Sequence, residues 1–359
     1  MRLRVLASMR AVRIASPDRL EIHAQVAADR MRSRLDCLRS MRPFVRALLP
    51  ALDLLASPFV WLAALLLRTV RRLGVQRLPY SKMALLKVGV FPIRDHFYEP
   101  LFDERRLRHS LDEERNLPGI DWNVAEQLEL LRGIRSNAEL EDVPAAKTDD
   151  LTFHWNNGAF DSGDAEFWYH LIRLQKPARI IEIGSGFSTL MARKAILANQ
   201  AETPGYACHH VCIEPYQMPW LERTGVTVLR QRVEELDVAF FQQLERGDVL
   251  FIDSSHVIRP QGDVLFEYLE LLPTLKPGVI VHVHDIRTPR DYLRRWLIEE
   301  VRLWNEQYLL EAFLTNNREW RIMAALNHLQ HHHGELLRAK CPHLTPAWEP
   351  MSFYMEKVS

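Results

Sequence analysis

The stretch IIEIGSGFSTLMA, Ile180 to Ala192, decides the fold. An apolar β-branched run enters Gly-Ser-Gly and continues as a helix-forming sequence. Glycines at Gly184 and Gly186 permit a tight turn and close approach of a ligand to the backbone. A lone G-x-G is weak, because a dinucleotide turn requires G-x-G-x-x-G/A. The sixth position from Gly184 is Thr189, so the turn suits a pyrophosphate poorly. Ser188 and Thr189 stand at the helix start as caps or polar contacts.

Working outward, short β-branched runs alternate with helical stretches after Thr152. Strands are expected at Ala178 to Ile183, His210 to Glu214, Val226 to Arg230, Val249 to Asp253 and Gly278 to His284. Helices are expected at Ser188 to Ala198, near Met218 to Arg223, at Glu234 to Glu245 and at Gln261 to Leu275. This alternation predicts an α/β, Rossmann-like doubly wound sheet. Ligands of such sheets bind beyond the carboxyl ends of the strands. Those ends carry Glu182 and Gly184, Glu214, Asp253, and His284 with Asp285.

Each of these positions has a chemical use. Glu214, in VCIEPY, ends the second strand, where a carboxylate can take both hydroxyls of a ribose. VLFIDSSH (Val249 to His256) brings Asp253 to a strand end, followed by hydroxyls and His256. The fifth strand, GVIVHVHDI, ends in His284 and Asp285. If the two strands are neighbours, about 4.8 Å apart, Asp253, His284 and Asp285 converge on one point. Oxygen-rich ligands suit Mg²⁺, Ca²⁺ or Mn²⁺. The alternative is a metal-free site in which His256, His282 or His284 acts as general base; His282 reads equally as a core group.

From Phe160 to about Asp291 the chain resembles the class I S-adenosylmethionine-dependent methyltransferases. It is most similar to the branch of the cephalosporin-pathway and macrolide-sugar O-methyltransferases, and more distantly to catechol O-methyltransferase. EIGSG at Glu182, IEP at Ile213, FIDSSH at Phe251 and LLPTLKPGVIVHVHDI at Leu271 carry the resemblance. It implies a domain reaching to about Lys357 and S-adenosylmethionine as cofactor. Glu182, Gly184, Ser185 and Gly186 would line its methionine end. Glu214 would hold its ribose, and Arg232 and Val233 would border its adenine. Asp253 is implied both for cofactor contact and, with His256 and His284, for catalysis. Metal-using relatives place acids where this chain has His284-Asp285, a departure that sets the metal in question.

The tail agrees with that fold. WRIMAAL (Trp320 to Leu326) and MSFYMEK (Met351 to Lys357) read as a terminal antiparallel strand pair, preceded by a long helix from Trp296 to Leu314. RTPRDYLRR after Asp285 is a basic loop over the expected site, able to meet an anionic substrate or simply solvated. Two clusters of metal-ligand types are discounted. CHHVC (Cys208 to Cys212) begins a buried strand whose alternate residues point apart. HLQHHH places His328, His331 and His332 on one helical face, but reads more readily as a solvated loop.

The N-terminal region differs. Met1 to Tyr80 holds fifteen Arg, no Lys and five acidic residues, although the 359-residue chain has no net charge. The remainder is therefore acidic by ten charges. A basic leader beside apolar sequence fits an anionic membrane better than nucleic acid. ALLPALDLLASPFVWLAALLL (Ala47 to Leu67) carries one charge, Asp53, and is interrupted by Pro50 and Pro58. It reads as a monotopic or re-entrant anchor, a spanning helix, or a helix buried against the domain. Three regions result: a basic leader with this segment (1–80), a helical or irregular connection (81–150), and the methyltransferase domain (151–359). The forty-residue start should be poorly packed. Four cysteines without a CxxC pattern point to a reducing compartment.

The expected function is methyl transfer to a hydroxyl of a sugar, glycan or lipid-linked intermediate, as in polysaccharide assembly, at the cytoplasmic face of the inner membrane or in the cytoplasm. Expected partners are a small-molecule or glycan acceptor and a membrane surface, not nucleic acid. The competing readings are a nucleotide-cofactor oxidoreductase on the same sheet and a non-catalytic membrane scaffold.

Overall fold

The computed structural model describes residues 47–216 and 218–359. The expectation for the first forty residues therefore lies outside the described residues. Two compact units divide between Leu101 and Phe102.

In the first unit, helix α1 covers Ala47–Leu73, about 40 Å of rise. It is long and apolar enough to cross a membrane, with a mean hydropathy of 1.8 in its most apolar window. None of that window is buried. The helix continues through Pro58. A proline there leaves the carbonyl four residues earlier without its amide donor. The Ser57 hydroxyl donates to that carbonyl, of Leu54, at 3.2 Å. Helix α2 (Pro79–Val88) follows.

The second unit is built on one seven-stranded sheet in the order β3-β2-β1-β4-β5-β7-β6. The strands are β1 (Arg179–Ile183), β2 (His209–Ile213), β3 (Thr227–Leu229), β4 (Val249–Ile252), β5 (Ile280–Val283), β6 (Trp320–Ala325) and β7 (Phe353–Lys357). The first five run parallel, and β7 pairs antiparallel with both β5 and β6. The expected Rossmann-like sheet and its terminal pair are thus present.

Residues alternate between the two faces of each strand. Ile180, Val249, Phe251 and Ile280 pack with α4 (Asp164–Gln175) and α5 (Phe187–Glu202). Ile181, Ile183, Leu250, Ile252, Val281 and Val283 join the core of the opposite face. Helix α3 (Val124–Gly133) precedes the sheet. It buries Leu131 against the α4/α5 face, so the core draws on chain before residue 151.

Several expected helices differ. Glu234 to Glu245 is two 3-10 turns, Val233–Glu235 and Val238–Gln243, because extended Leu236 and Asp237 interrupt it. The Asp237 carboxylate then accepts from the amide of Ala239 at 2.8 Å and starts the second turn. The element near Met218 is a 3-10 turn, Leu221–Thr224. Gln261 to Leu275 becomes α6 (Asp263–Leu265), continued by a π turn and a 3-10 turn to Thr274.

The long helix from Trp296 is broken. A π turn covers Arg295–Glu299, Val301 turns left-handed (φ 52°), and α7 begins at Glu306 and ends at Leu314. The Arg302 guanidinium lies over the rings of Trp304 and Trp296, 4.5 and 5.3 Å from their centroids, and holds the break. HLQHHH is not a loop but the first half of α8 (Leu326–Arg338). Its apolar side chains Leu326, Leu329 and Leu337 are buried at helical spacing, which decides for helix.

Candidate active site

The strand ends converge as the motifs predict. Beyond each assigned strand the ladder runs one residue further. The Gly184 amide donates to Ile213 O (3.0 Å), Asp253 to Ile183 O (2.8 Å), His284 to Ile252 O (2.9 Å) and Glu214 to Leu229 O (3.0 Å). These four residues therefore stand along one sheet edge. Gly184 sits at φ 76°, and a Cβ there would lie 2.0 Å from the carbonyl oxygen of Asp253. The glycine is required because two strands come together at that point, whatever ligand binds.

At this edge lies a cavity of about 310 Å³, within the range of small-molecule sites. Gly184, Glu214, Arg232, Val233 and Asp253 line it, with Arg259 at its margin. Glu182, Ser185 and Gly186 do not. Glu182 is fully buried beneath the turn. Thr189 donates its hydroxyl to the Glu182 carboxylate and accepts from the Gly186 amide at 3.3 Å. Thr189 thus ties helix α5 to strand β1 instead of facing a ligand. His210 Nε2 lies 3.2 Å from the same carboxylate, with Cys212 beside it. The alternate residues His210 and Cys212 share one face, so this part of CHHVC does converge.

Through Asp253 the cavity wall meets a charged cluster. Asp253, 36% exposed at its side chain, lies 3.3 Å from His256 Nε2 and 3.6 Å from His284 Nδ1. Asp285 lies 3.4 Å from His256 Nε2 and 3.6 Å from His284 Nδ1. The second imidazole near the carboxylate pair is therefore His256, which the loop after β4 supplies. Asp253, His256 and Asp285 offer three ligand atoms within 4.8 Å of one another. His256 and Asp285 both adopt left-handed backbone (φ 59° each). Such conformations cost free energy and persist where surrounding structure enforces them.

That enforcement is visible. His256 Nδ1 donates to Glu306 Oε2 at 2.7 Å, and the His256 carbonyl accepts from the amides of Asn305 and Glu306 at 2.9 and 3.2 Å. The start of α7 therefore holds the histidine at both side chain and backbone. Tyr268 donates to the other Glu306 oxygen at 3.1 Å. Ser255 donates through its amide and hydroxyl to Asp263 at 2.9 and 2.7 Å, and Ser254 donates to Glu267 at 3.0 Å. His284 Nε2 faces Asp164 at 3.8 Å. Glu306 and Asp164 come from elements remote in sequence, Asp263 and Glu267 from the helical element that follows the loop. Only Glu306 lies outside the segment of resemblance.

The charges are mutually dependent. Burial raises the Asp253 carboxyl, but His284 and His256 outweigh it and hold the group far below the usual carboxylate range. Burial opposes a charge on His256, yet Asp253 and Glu306 raise its pKa well above the ordinary imidazole value. His284 is raised likewise, by Asp285 and Asp253 against burial. Burial raises Asp285 despite both imidazoles.

His282 is a core residue: it is fully buried, stacked on Tyr354 at 4.1 Å, with neither ring nitrogen hydrogen-bonded, and burial depresses its pKa. It does not reach the cavity. The basic loop after Asp285 is also occupied internally. Arg287 and Arg290 are buried and donate to Asp112 and its carbonyl, and Arg294 pairs with Glu104. Arg287 and Arg290 therefore do not present themselves to an anionic substrate, whereas Arg294 is half exposed.

Residues 181–286 match the family described as a methyltransferase domain. An uncharacterized protein of Archaeoglobus fulgidus is 32% identical over 174 residues, covering 44% of this chain and 75% of that protein. Among solved structures, an O-methyltransferase from Bacillus cereus in complex with S-adenosylhomocysteine aligns at 15% identity. It covers 66% of this chain and 91% of its own, with a TM-score of 0.31. A tomaymycin-synthesis O-methyltransferase from Streptomyces achromogenes, in complex with S-adenosylmethionine, aligns at 14% identity over 66% and 97% of the two chains (TM-score 0.35). A TDP-rhamnose 3'-O-methyltransferase of calicheamicin biosynthesis aligns at 12% over 71% and 98% (TM-score 0.36).

Proposed function

Because this chain belongs to the methyltransferase-domain family matched by its residues 181–286, we propose that it methylates a hydroxyl oxygen, using S-adenosylmethionine. The observation that carries this reading is the contact of a nucleoside-sized cavity, with Glu214 on its wall, and the Asp253–His256–Asp285 cluster. When bound, the cofactor supplies an electrophilic methyl group on a sulfonium.

The donor set fits such a ligand. The Glu214 carboxylate suits a ribose diol, Ile213 and Val233 offer apolar surface to a base, and Gly184 lets the ligand approach the backbone. With Nδ1 committed to Glu306, His256 presents Nε2 to the site; the surrounding carboxylates favour its imidazolium, so it takes the acceptor's hydroxyl proton only once deprotonated, above its raised pKa. Asp253 and Asp285 stabilise the imidazolium that results. The same three residues also suit a divalent cation of mixed oxygen and nitrogen preference. A carboxylate behind a ligating imidazole, as Glu306 stands here, is the usual support of such a ligand. Asp253 and Asp285 with His256 would hold the cation, in preference to His284.

The acceptor we propose is a sugar, glycan or lipid-linked intermediate at a membrane surface. Helix α1, exposed and apolar, supports the membrane address. Calorimetry tests the core of the reading: S-adenosylmethionine should bind at micromolar concentrations and NAD should not. Binding of NAD alone would favour an oxidoreductase and overturn the proposal.

A further inference from the structure

Away from the cavity, a second cluster joins parts of the chain remote in sequence. Helix α8 carries His328 and His332 four residues apart, hence on one face. Glu114 arrives from the segment before α3. One ligand atom from each lies within 4.8 Å of the other two. The imidazoles stack at 4.4 Å between centroids, and Trp122 stacks on His328 at 4.8 Å. His332 Nε2 contacts Glu114 Oε1 at 2.7 Å. His328 Nδ1 is buried with no hydrogen-bond partner. Buried polar atoms are normally satisfied, so this nitrogen lacks the partner its position demands.

We propose that Glu114, His328 and His332 bind a divalent transition-metal ion of the zinc class. Two imidazoles and one carboxylate match zinc, copper or nickel better than magnesium, which favours oxygen. Tetrahedral ligands about 2.0–2.1 Å from zinc stand roughly 3.4 Å apart. The rings therefore close by about an ångström on binding, a shift available to half-exposed side chains. Arg290 Nη2 shares Glu114 Oε1 at 2.7 Å, while its Nε donates to the Asp112 carbonyl at 3.0 Å, so the side chain remains anchored when the metal takes the carboxylate. The ion would clip the segment around Glu114 to α8 and stabilise the folded chain by mass action.

The neighbouring histidines supply the control. His331 faces Glu349 instead, at 3.1 Å, and His333 lies at a kink of α8. The full chain is titrated with Co²⁺ and Zn²⁺ in a non-chelating buffer, following cobalt visible absorption and the thermal midpoint. An Asp253→Asn, Asp285→Asn background silences the candidate active-site cluster. Expected is one tetrahedral cobalt spectrum, displaced by zinc. Affinity should fall at least tenfold in His328→Gln, His332→Gln and Glu114→Gln, and less than twofold in His331→Gln and His333→Gln. Circular dichroism verifies that each variant is folded. Absence of binding in that background, or equal losses in all five variants, would overturn the proposal; the latter marks adventitious capture by the histidine run.

Discussion

Glu306 holds His256 across fifty residues of chain, its carboxylate 2.7 Å from Nδ1, and so directs Nε2 at Asp253 and Asp285. Replacing Glu306 by Gln keeps the shape and removes the charge. Methyl transfer should slow by about 10- to 100-fold in kcat, the usual cost of losing an orienting partner. KM for S-adenosylmethionine should stay within twofold, because Glu306 does not line the cavity. Equal changes in kcat and KM would show that Glu306 does not act through His256.

His256→Ala removes the proton acceptor itself. A general base contributes about 10²–10⁴ in rate, so initial-rate assays with a hydroxyl acceptor should show a loss of that size. Calorimetry should find cofactor binding little changed. Full activity in this variant would exclude the assigned base.

Glu214→Ala tests the cofactor pocket separately from the chemistry. A hydrogen bond to a charged group contributes about 1.5–3 kcal/mol. The dissociation constant for S-adenosylmethionine should therefore rise by roughly 10- to 100-fold. Unaltered binding would remove Glu214 from the ribose position.

His170 predicts the pH dependence of stability. Its Nε2 donates to Lys340 O at 2.8 Å and its Nδ1 accepts from the Ser136 hydroxyl at 2.7 Å, which fixes a neutral ring. Burial depresses its pKa from 6.5 to about 4. Between those values the unfolded chain binds the proton and the folded chain does not, so stability rises with pH across that window. The contribution is complete above pH 6.5 and lost as pH falls towards 4, at most roughly 3 kcal/mol. Urea unfolding at pH 7 and pH 5 should show a smaller pH difference for His170→Gln than for the parent. An identical difference would contradict the assignment.

Leu62→Asp tests the membrane address. An acidic residue near the centre of a membrane helix costs about 2.5–3.5 kcal/mol. Flotation with anionic vesicles should then recover far less protein than for the parent chain. Equal recovery would show that α1 is not the anchor.

The sequence by itself determined the sheet and its binding edge. Strand periodicity, Gly184 and the carboxylates at strand ends are local signals, and parallel pairing puts successive strand ends side by side. Glu214, Arg232, Val233 and Asp253 could be placed for that reason. What the tertiary structure decided depended on contacts between distant segments. Glu182 reads as a ligand residue at a strand end, but Thr189 and His210 cover it, and only packing shows this. His256 joins His284 beside the carboxylate pair because the break before α7 brings Asn305 and Glu306 onto its loop. No periodicity announces that break, since Trp296 to Leu314 is helical in pattern throughout. The histidines of α8 likewise gain meaning only from Glu114, more than two hundred residues earlier, because their ligand geometry is a property of two segments packed together.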